Sequence, residues 1–279
     1  MSTHGTLPLE LVDQVIDELG EAYRYDRDCY LRILYRGDAY KALRACALVS
    51  RKWTVRSRAH MFRKVEVRRS GFQPTITPPA SILPYLKELE VFCGDPRSVA
   101  DLLKAFVAAP VERLVIAGGI LIDERACVRE YVDTHSATLR TVEFRGCLLS
   151  ACNITDIVVG RHRLRILRLV DCICKELPPP GHPLITDTQD PSTRLEPSEL
   201  ELSIFGGCHM EGIMDMVARL PYRFSRLDIE HAAVEYGTTE ATNALIKANA
   251  DVVSSLGIHI RAGAFEALNR EMLLTAVRL

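Results

Sequence analysis

The stretch Leu164-Arg-Ile-Leu-Arg-Leu-Val-Asp-Cys172 (LRILRLVDC) sets a pattern of apolar residues that returns along most of the chain. Apolar residues at alternate positions are typical of a short strand with one buried face. The first residue of each central apolar pair stands at positions 89, 114, 142, 167, 202, 227 and 256. The spacings of 25, 28, 25, 35, 25 and 29 residues predict an internal repeat.

Helical segments are predicted between these strands. Their apolar residues recur at spacings of three and four, and several begin next to a side chain that can cap a helix. The predicted segments follow caps at Ser98 and Asn153, cover residues 124–131 and 211–220, and begin again after Thr239. A unit of one strand and one helix cannot bury its apolar face alone, so neighbouring units must stack.

The pattern LxxLxLxxC at residues 164–172, which returns in the same phase as LxxVxFxxC at 139–147, resembles the strand signature of leucine-rich repeats. The resemblance implies an α/β solenoid over residues 64–279, with parallel strands on a concave face and helices on a convex face. Val65 and Val67 would form a degenerate first strand. The alternative is a doubly wound α/β domain, but its strands are continuous apolar runs and its βαβ units take roughly 30 residues or more.

Two further predictions concern the surface of this region. The longest step of the repeat holds a Pro-rich stretch at about residues 176–197, where six prolines and a glycine predict an irregular loop. The residues expected to face outward between the buried strand positions are Glu90, Val115, Glu143, Arg168, Ser203, Asp228 and Gly257. Because their charges are mixed, they indicate no charge class of target.

The start of the chain follows a different pattern, LPLELVDQVIDEL at residues 7–19 and LRACALVSRKW at residues 43–53. Pro8 suits the first turn of a helix because it has no N–H to donate, and Gly20 is the predicted C-cap. The apolar face of this first helix consists of Leu11, Val12, Val15, Ile16 and Leu19. The second segment is predicted as one more apolar helix, ending at Trp53, the single tryptophan of the chain.

Leu-Pro-x-Glu-Leu at the start, together with Val-Ser-x-x-Trp at residues 49–53, resembles an F-box. This resemblance implies a small helical domain at residues 6–63 that docks on a Skp-type adaptor. Residues 20–42 depart from the pattern as an insertion between the two helices, similar to insertions in F-box-like families of mushroom-forming fungi. The residues that the resemblance places on the adaptor-binding surface are Leu7, Pro8, Leu11, Val12, Ile16, Leu43, Cys46, Val49 and Trp53.

The F-box resemblance implies a substrate-recognition subunit of an SCF-type E3 ubiquitin ligase. The adaptor would link the chain to a cullin, and the repeats would present an unknown target protein. Eight basic side chains in residues 51–69, against the single acid Glu66, suit an acidic partner. Two alternatives stay open. One is an F-box scaffold outside a ligase, and the other is a repeat module whose helices at residues 7–19 only pack against Val65 and Val67.

Composition argues against several other classes of protein. A net charge of -1 offers no overall attraction for nucleic acid, and no apolar run predicts a membrane span or a signal peptide. The nine scattered cysteines read as reduced thiols of a cytoplasmic or nuclear protein, with no spacing that completes a zinc site. No phosphate-binding glycine loop or hydrolase motif is present, so we expect a non-enzyme without cofactor or metal.

Overall fold

A computed structural model of the chain divides it into two compact units. The first comprises Met1–Val65, Pro78–Glu88 and Ala108–Pro110, and the second comprises Glu66–Thr77, Leu89–Val107 and Val111–Leu279. The residues that the structure describes are 8–28, 38–69, 78–93, 97–118, 125–158, 163–176, 200–206, 210–220, 223–231 and 236–260.

Three helices form the described part of the first unit, together with a short 3₁₀ turn at Leu83–Tyr85. They are α1 (Leu9–Asp28), α2 (Asp38–Val49) and α3 (Arg51–Met61). Pro8 immediately precedes α1, and its carbonyl accepts hydrogen bonds from the N–H groups of Leu11 and Val12. The predicted start of the first helix is therefore confirmed to within a residue.

The predicted C-cap at Gly20 is wrong, because α1 continues through this residue to Asp28. Gly20 is buried, and a Cβ atom there would lie 2.1 Å from Nδ1 of His60 on α3. A glycine inside a helix costs about 1 kcal/mol relative to alanine. Here that cost is offset because the missing side chain lets the imidazole pack directly against the α1 backbone.

The single helix predicted at residues 43–53 is also wrong, because the chain turns at Ser50. Ser50 has an extended backbone, with φ −153° and ψ 145°, and its Oγ accepts a hydrogen bond from the Lys52 N–H at 3.2 Å. It is therefore the N-cap of α3, the position that serine favours. Trp53 consequently belongs to a third helix, and residues 20–28 and 38–42 of the predicted insertion extend α1 and α2.

An eight-stranded sheet is built from the predicted repeats, and the chain is of mixed α/β class. In the described residues the sheet order is β1-β2-β3-β4-β6-β8-β9-β10, while β5 and β7 form a separate two-stranded sheet. The strands are β1 (Lys64–Arg69), β2 (Glu88–Cys93), β3 (Arg113–Ala117), β4 (Thr141–Arg145), β5 (Leu148–Ser150), β6 (Ile166–Val170), β7 (Ile173–Glu176), β8 (Glu201–Gly206), β9 (Arg226–His231) and β10 (Ser255–Ile260).

The predicted phase of the repeat is confirmed by the register of the sheet. The pairings from β3 to β10 are parallel, and six of the predicted central residues stand opposite one another. Five of them are buried, and the sixth, on the edge strand β10, is half-buried. These register partners are Leu114, Val142, Leu167, Leu202, Leu227 and Leu256. The remaining predicted strands, at Leu89 and at Val65, are β2 and β1.

Helices connect most of the successive parallel strands, as parallel pairing requires. They are α4 (Arg97–Ala105), α5 (Arg125–Thr134), α6 (Ala151–Val158), α7 (Met210–Ala218) and α8 (Tyr236–Asn249). Two predicted caps are wrong, because Ser98 is already inside α4 and Asn153 is already inside α6. Ser150 caps α6 instead, and the Asn153 side chain accepts a hydrogen bond from the Ser150 N–H at 2.8 Å, as in a capping box.

Two predictions fall outside the described residues. They are the anchor at Leu7 and most of the Pro-rich stretch at about residues 176–197. The sequence did not predict the two-stranded sheet of β5 and β7, whose strands follow β4 and β6 and pair in parallel.

Candidate functional site

An apolar groove of about 590 Å³ runs along α1 in the first unit. All three helices line the groove. Seven lining residues come from α1, and α2 and α3 supply one residue each. Only two polar side chains interrupt it. The groove is lined by Leu11, Val12, Gln14, Val15, Ile16, Glu18, Leu19, Cys46 and Trp53.

Some of the predicted adaptor-binding residues are exposed on this unit. Leu11 is 48% exposed and Val49 is 65% exposed, and Pro8 is exposed at the start of α1. Cys46 and Trp53 are half-buried, and each contributes to the groove. These five residues can meet a partner without any rearrangement of the helices.

Other predicted residues are core residues of the three helices. Val12, Ile16 and Leu43 are buried together with Met61 of α3, so the unit covers them itself. Val12 and Ile16 reach only the floor of the groove, and Leu43 does not line it. Part of the predicted adaptor-binding set therefore lies in the core of the unit, because the third helix helps to cover it.

The sequence prediction missed several exposed apolar residues of the first unit. Leu48 is 81% exposed, and Leu9, Val15 and Val55 are also largely exposed. A usable sequence signal was present for one of them, because Val15 follows Leu11 by one helical turn and so occupies the same face. Leu48 lies next to Val49 at the end of α2, an end that the sequence pattern did not predict.

Charged residues join α1 to α3 beside the groove. Arg56 lies 3.0 Å from the Asp13 carboxylate and donates to Asp17, and His60 Nε2 is 2.9 Å from Asp17 Oδ1. The Arg56 hydrogen bonds, followed by that of His60, hold the pKa of Asp17 well below its ordinary value although partial desolvation opposes them. Part of the predicted basic run therefore stabilises the unit internally.

Other basic residues of the run are likewise divided between internal ion pairs and exposed positions. Arg63 pairs with Glu88 at 3.4 Å inside the first unit. By contrast, Arg51, Lys52 and Arg58 on α3 are exposed. The cationic surface that a partner could meet is thus narrower than the sequence indicates.

On the sheet of the second unit, the residues expected to face outward form the predicted row, from Val115 through Glu143, Arg168, Ser203 and Asp228 to Gly257. The expectation of an open row is nevertheless wrong for part of it. Val115 and Ser203 are buried, and the side chains of Glu90 and Glu143 are only 3% exposed. Arginine side chains from neighbouring positions cover these carboxylates.

The described part of the chain shows neither a metal-binding group nor a membrane-spanning helix. No group of three or more His, Cys, Asp or Glu side chains there is placed to hold a metal ion. None of the helices found there combines the length and the apolar content needed to cross a bilayer.

Comparison of the sequence with protein-family models gives no match, and comparison with curated proteins gives none either.

Proposed function

We propose that the chain is the substrate-recognition subunit of an SCF-type E3 ubiquitin ligase, and that its first unit is an F-box that docks on a Skp-type adaptor. The observation that carries the proposal is the exposure of Leu11 and Val49, apolar residues in the two segments that resemble an F-box. Exposed apolar side chains beside an apolar groove are typical of a surface that another protein covers.

We also propose that the second unit is a leucine-rich-repeat-like solenoid with strands on the concave face and helices on the convex face. The strand order supports this reading, because neighbouring strands of the large sheet follow one another along the chain. A doubly wound sheet reverses its strand order at a switch point, and no reversal occurs among the described strands.

Repeated backbone details support the same reading. Gly118, Gly146 and Asp171 follow β3, β4 and β6 and share a left-handed backbone, with φ of 72°, 61° and 50°. The next residue in two of these repeats is a buried cysteine whose thiol donates to the preceding strand. Cys147 donates to the Ile116 carbonyl at 3.3 Å and Cys172 to the Phe144 carbonyl at 3.4 Å, and Ile116 and Phe144 are register partners.

The proposed mechanism is positioning rather than chemistry by this chain. The adaptor would link the first unit to a cullin, in the cytoplasm or the nucleus, while the repeats hold a target protein. A target held near a loaded conjugating enzyme gains effective concentration, which accelerates transfer to its lysines.

The experiment is a calorimetric titration of the full chain with a purified Skp-type adaptor. Fully burying a leucine contributes about 1.5–3 kcal/mol. Leu11 is 48% exposed and Val49 is 65% exposed, so truncating both removes roughly 2 kcal/mol of binding free energy, which is about a thirtyfold rise in Kd. The matched control truncates Val107 and Val252, which are 49% and 42% exposed in the second unit.

Equal affinity of Leu11→Ala/Val49→Ala and of the control pair would refute docking through this surface. Co-elution with a cullin then separates a ligase receptor from the scaffold alternative. A ligase receptor forms a ternary complex with adaptor and cullin on gel filtration, whereas a scaffold stops at the adaptor.

A further inference from the structure

Five charged side chains form a group on one face of the large sheet. Glu143 on β4 accepts a hydrogen bond from Arg113 on β3 at 2.7 Å and another from Arg145. Arg145 also donates to Glu90 on β2 at 2.9 Å. Arg168 on β6 is the register partner of Glu143, and its Nη1 lies 4.0 Å from the Glu143 carboxylate. The group thus spans four neighbouring strands.

Burial separates the two signs of charge within this group. The side chains of Glu90 and Glu143 are 3% exposed, whereas those of Arg113, Arg145 and Arg168 are 29%, 38% and 39% exposed. Burial pushes the pKa of Glu143 up, but the hydrogen bonds from Arg113 and Arg145 outweigh it and hold the pKa below its ordinary value. The ionised Glu143 carboxylate orients the guanidinium groups of Arg113 and Arg145, so a ligand on this face meets N–H donors.

Arg168 is the arginine of the group that the two carboxylates hold least closely. Its contact with Glu143 is longer than a hydrogen bond, and among the described residues its buried Nε has no hydrogen-bond partner. The Arg168 side chain is 39% exposed, so an oxyanion can reach its terminal Nη donors and supply the close acceptor that Glu143, at 4.0 Å, does not provide.

We propose that Arg168, flanked by Arg113 and Arg145, binds a carboxylate side chain in an acidic segment of the target protein. A planar guanidinium matches a carboxylate with two parallel N–H donors, which makes arginine the suitable residue. The inference rests on the proposed function in treating this ligand as a target for ubiquitination, and it gives that target its chemical class.

Arg168 is also the member that can be changed most cleanly. Replacing Arg113 or Arg145 would leave a buried carboxylate short of a hydrogen bond and would destabilise the sheet. Replacing Arg168 leaves Glu143 bonded to both neighbours. A change in binding on Arg168→Gln therefore reports on the ligand and not on the packing.

The test uses the full chain and two short peptides with blocked ends, one of alternating Glu and Gly and one of alternating Gln and Gly. Calorimetry should show binding of the Glu peptide, weakening as salt is raised, and at least tenfold weaker binding of the Gln peptide. Arg168→Gln should weaken the Glu peptide about tenfold, and Arg168→Lys should weaken it less. Circular dichroism checks that each variant is folded.

The control is Arg58→Gln, because Arg58 lies exposed in the basic run of α3 and could attract an acidic peptide by charge alone. Equal affinity for the two peptides, unchanged affinity of Arg168→Gln, or loss of binding in Arg58→Gln alone would each overturn the proposal. Adaptor affinity of Arg168→Gln is measured in parallel. Peptide binding that depends on Arg168 supports the site even if the adaptor fails to bind, so the two proposals fail separately.

Discussion

Replacing Gly20 by alanine tests the close packing of α1 against α3. A Cβ atom at this position would meet three ring atoms of His60, the nearest at 2.1 Å and the others at 2.4 and 2.5 Å. Carbon atoms in favourable contact stand about 3.5–4.0 Å apart, so the overlap exceeds 1 Å. Because the overlap includes Cγ, the whole ring of His60 must move, and its hydrogen bond with Asp17 is lost.

The magnitude follows from two opposing effects. Alanine is about 1 kcal/mol more favourable than glycine inside a helix. Losing a hydrogen bond to a charged group costs about 1.5–3 kcal/mol, and displacing the imidazole, which is 16% exposed, adds lost packing. Gly20→Ala should therefore lower the free energy of unfolding by about 1–2 kcal/mol. In a His60→Ala background the overlap is gone, so the same change should raise it by up to about 1 kcal/mol.

The assay is urea unfolding followed by tryptophan fluorescence, since Trp53 is the single tryptophan and lies on α3 of the first unit. The four proteins of the cycle are the wild type, the two single variants and the double variant. A coupling energy of about 2–3 kcal/mol between the two positions is expected. The reasoning is refuted if Gly20→Ala changes stability by the same amount with and without the His60 ring.

Three further predictions concern stability. Leu114→Ala, at a buried position of β3, should lower the free energy of unfolding by about 2–5 kcal/mol. Val107→Ala, at an exposed position, should change it by less than about 0.5 kcal/mol. Both values are measured by urea unfolding followed by far-ultraviolet circular dichroism. Gly146→Ala should cost roughly 1–2 kcal/mol in the same measurement, because its φ of 61° is unfavourable for alanine although open space surrounds it. Because the folded-state pKa of Asp17 is depressed, its contribution is present above its ordinary pKa near 4 and is lost as pH falls below it. The urea concentration at the midpoint of unfolding, followed by Trp53 fluorescence, should therefore fall less between pH 7 and pH 3 in Asp17→Asn than in the wild type.

The strands could be predicted from the sequence because alternation of apolar residues encodes the side of the sheet that is buried. Leu114, Val142 and Leu167 had the right phase, and phase alone fixes register when one face of a strand is buried. The two-stranded sheet of β5 and β7 lacked such a signal, since strands of three and four residues give no periodicity to read.

The predictions that were wrong depended on contacts, some long-range and some local, that apolar periodicity does not encode. Gly20 lies inside α1 and packs against His60, which is 40 residues away in sequence. Ser50 breaks a helix through a local cap that the surrounding apolar pattern hides. Glu143 is covered by Arg113, which comes from the preceding strand. For Gly20 and Glu143 the deciding contact joins residues whose proximity appears only once the chain has folded.

The candidate adaptor-binding surface could be predicted only in part, because apolar periodicity does not show which apolar residues a third helix covers. Leu11 and Val49 were expected at a partner surface, and both are exposed. Ile16 and Leu43 were expected there as well, but α3 covers them, because the break at Ser50 folds a third helix onto the pair. The exposed residues can be told from the buried ones only when the position of α3 is known. That position depends on the cap at Ser50 and on the Arg56 contacts with α1.

The most direct test of docking on a Skp-type adaptor is site-specific photo-crosslinking. A benzophenone amino acid in place of Leu48, which is 81% exposed at the end of α2, should crosslink to the adaptor when the purified proteins are mixed and irradiated. The same probe in place of Val252, in the second unit, should give no adaptor crosslink. A crosslink from Val252 with none from Leu48, or no crosslink from either although a complex forms, would contradict docking through the first unit.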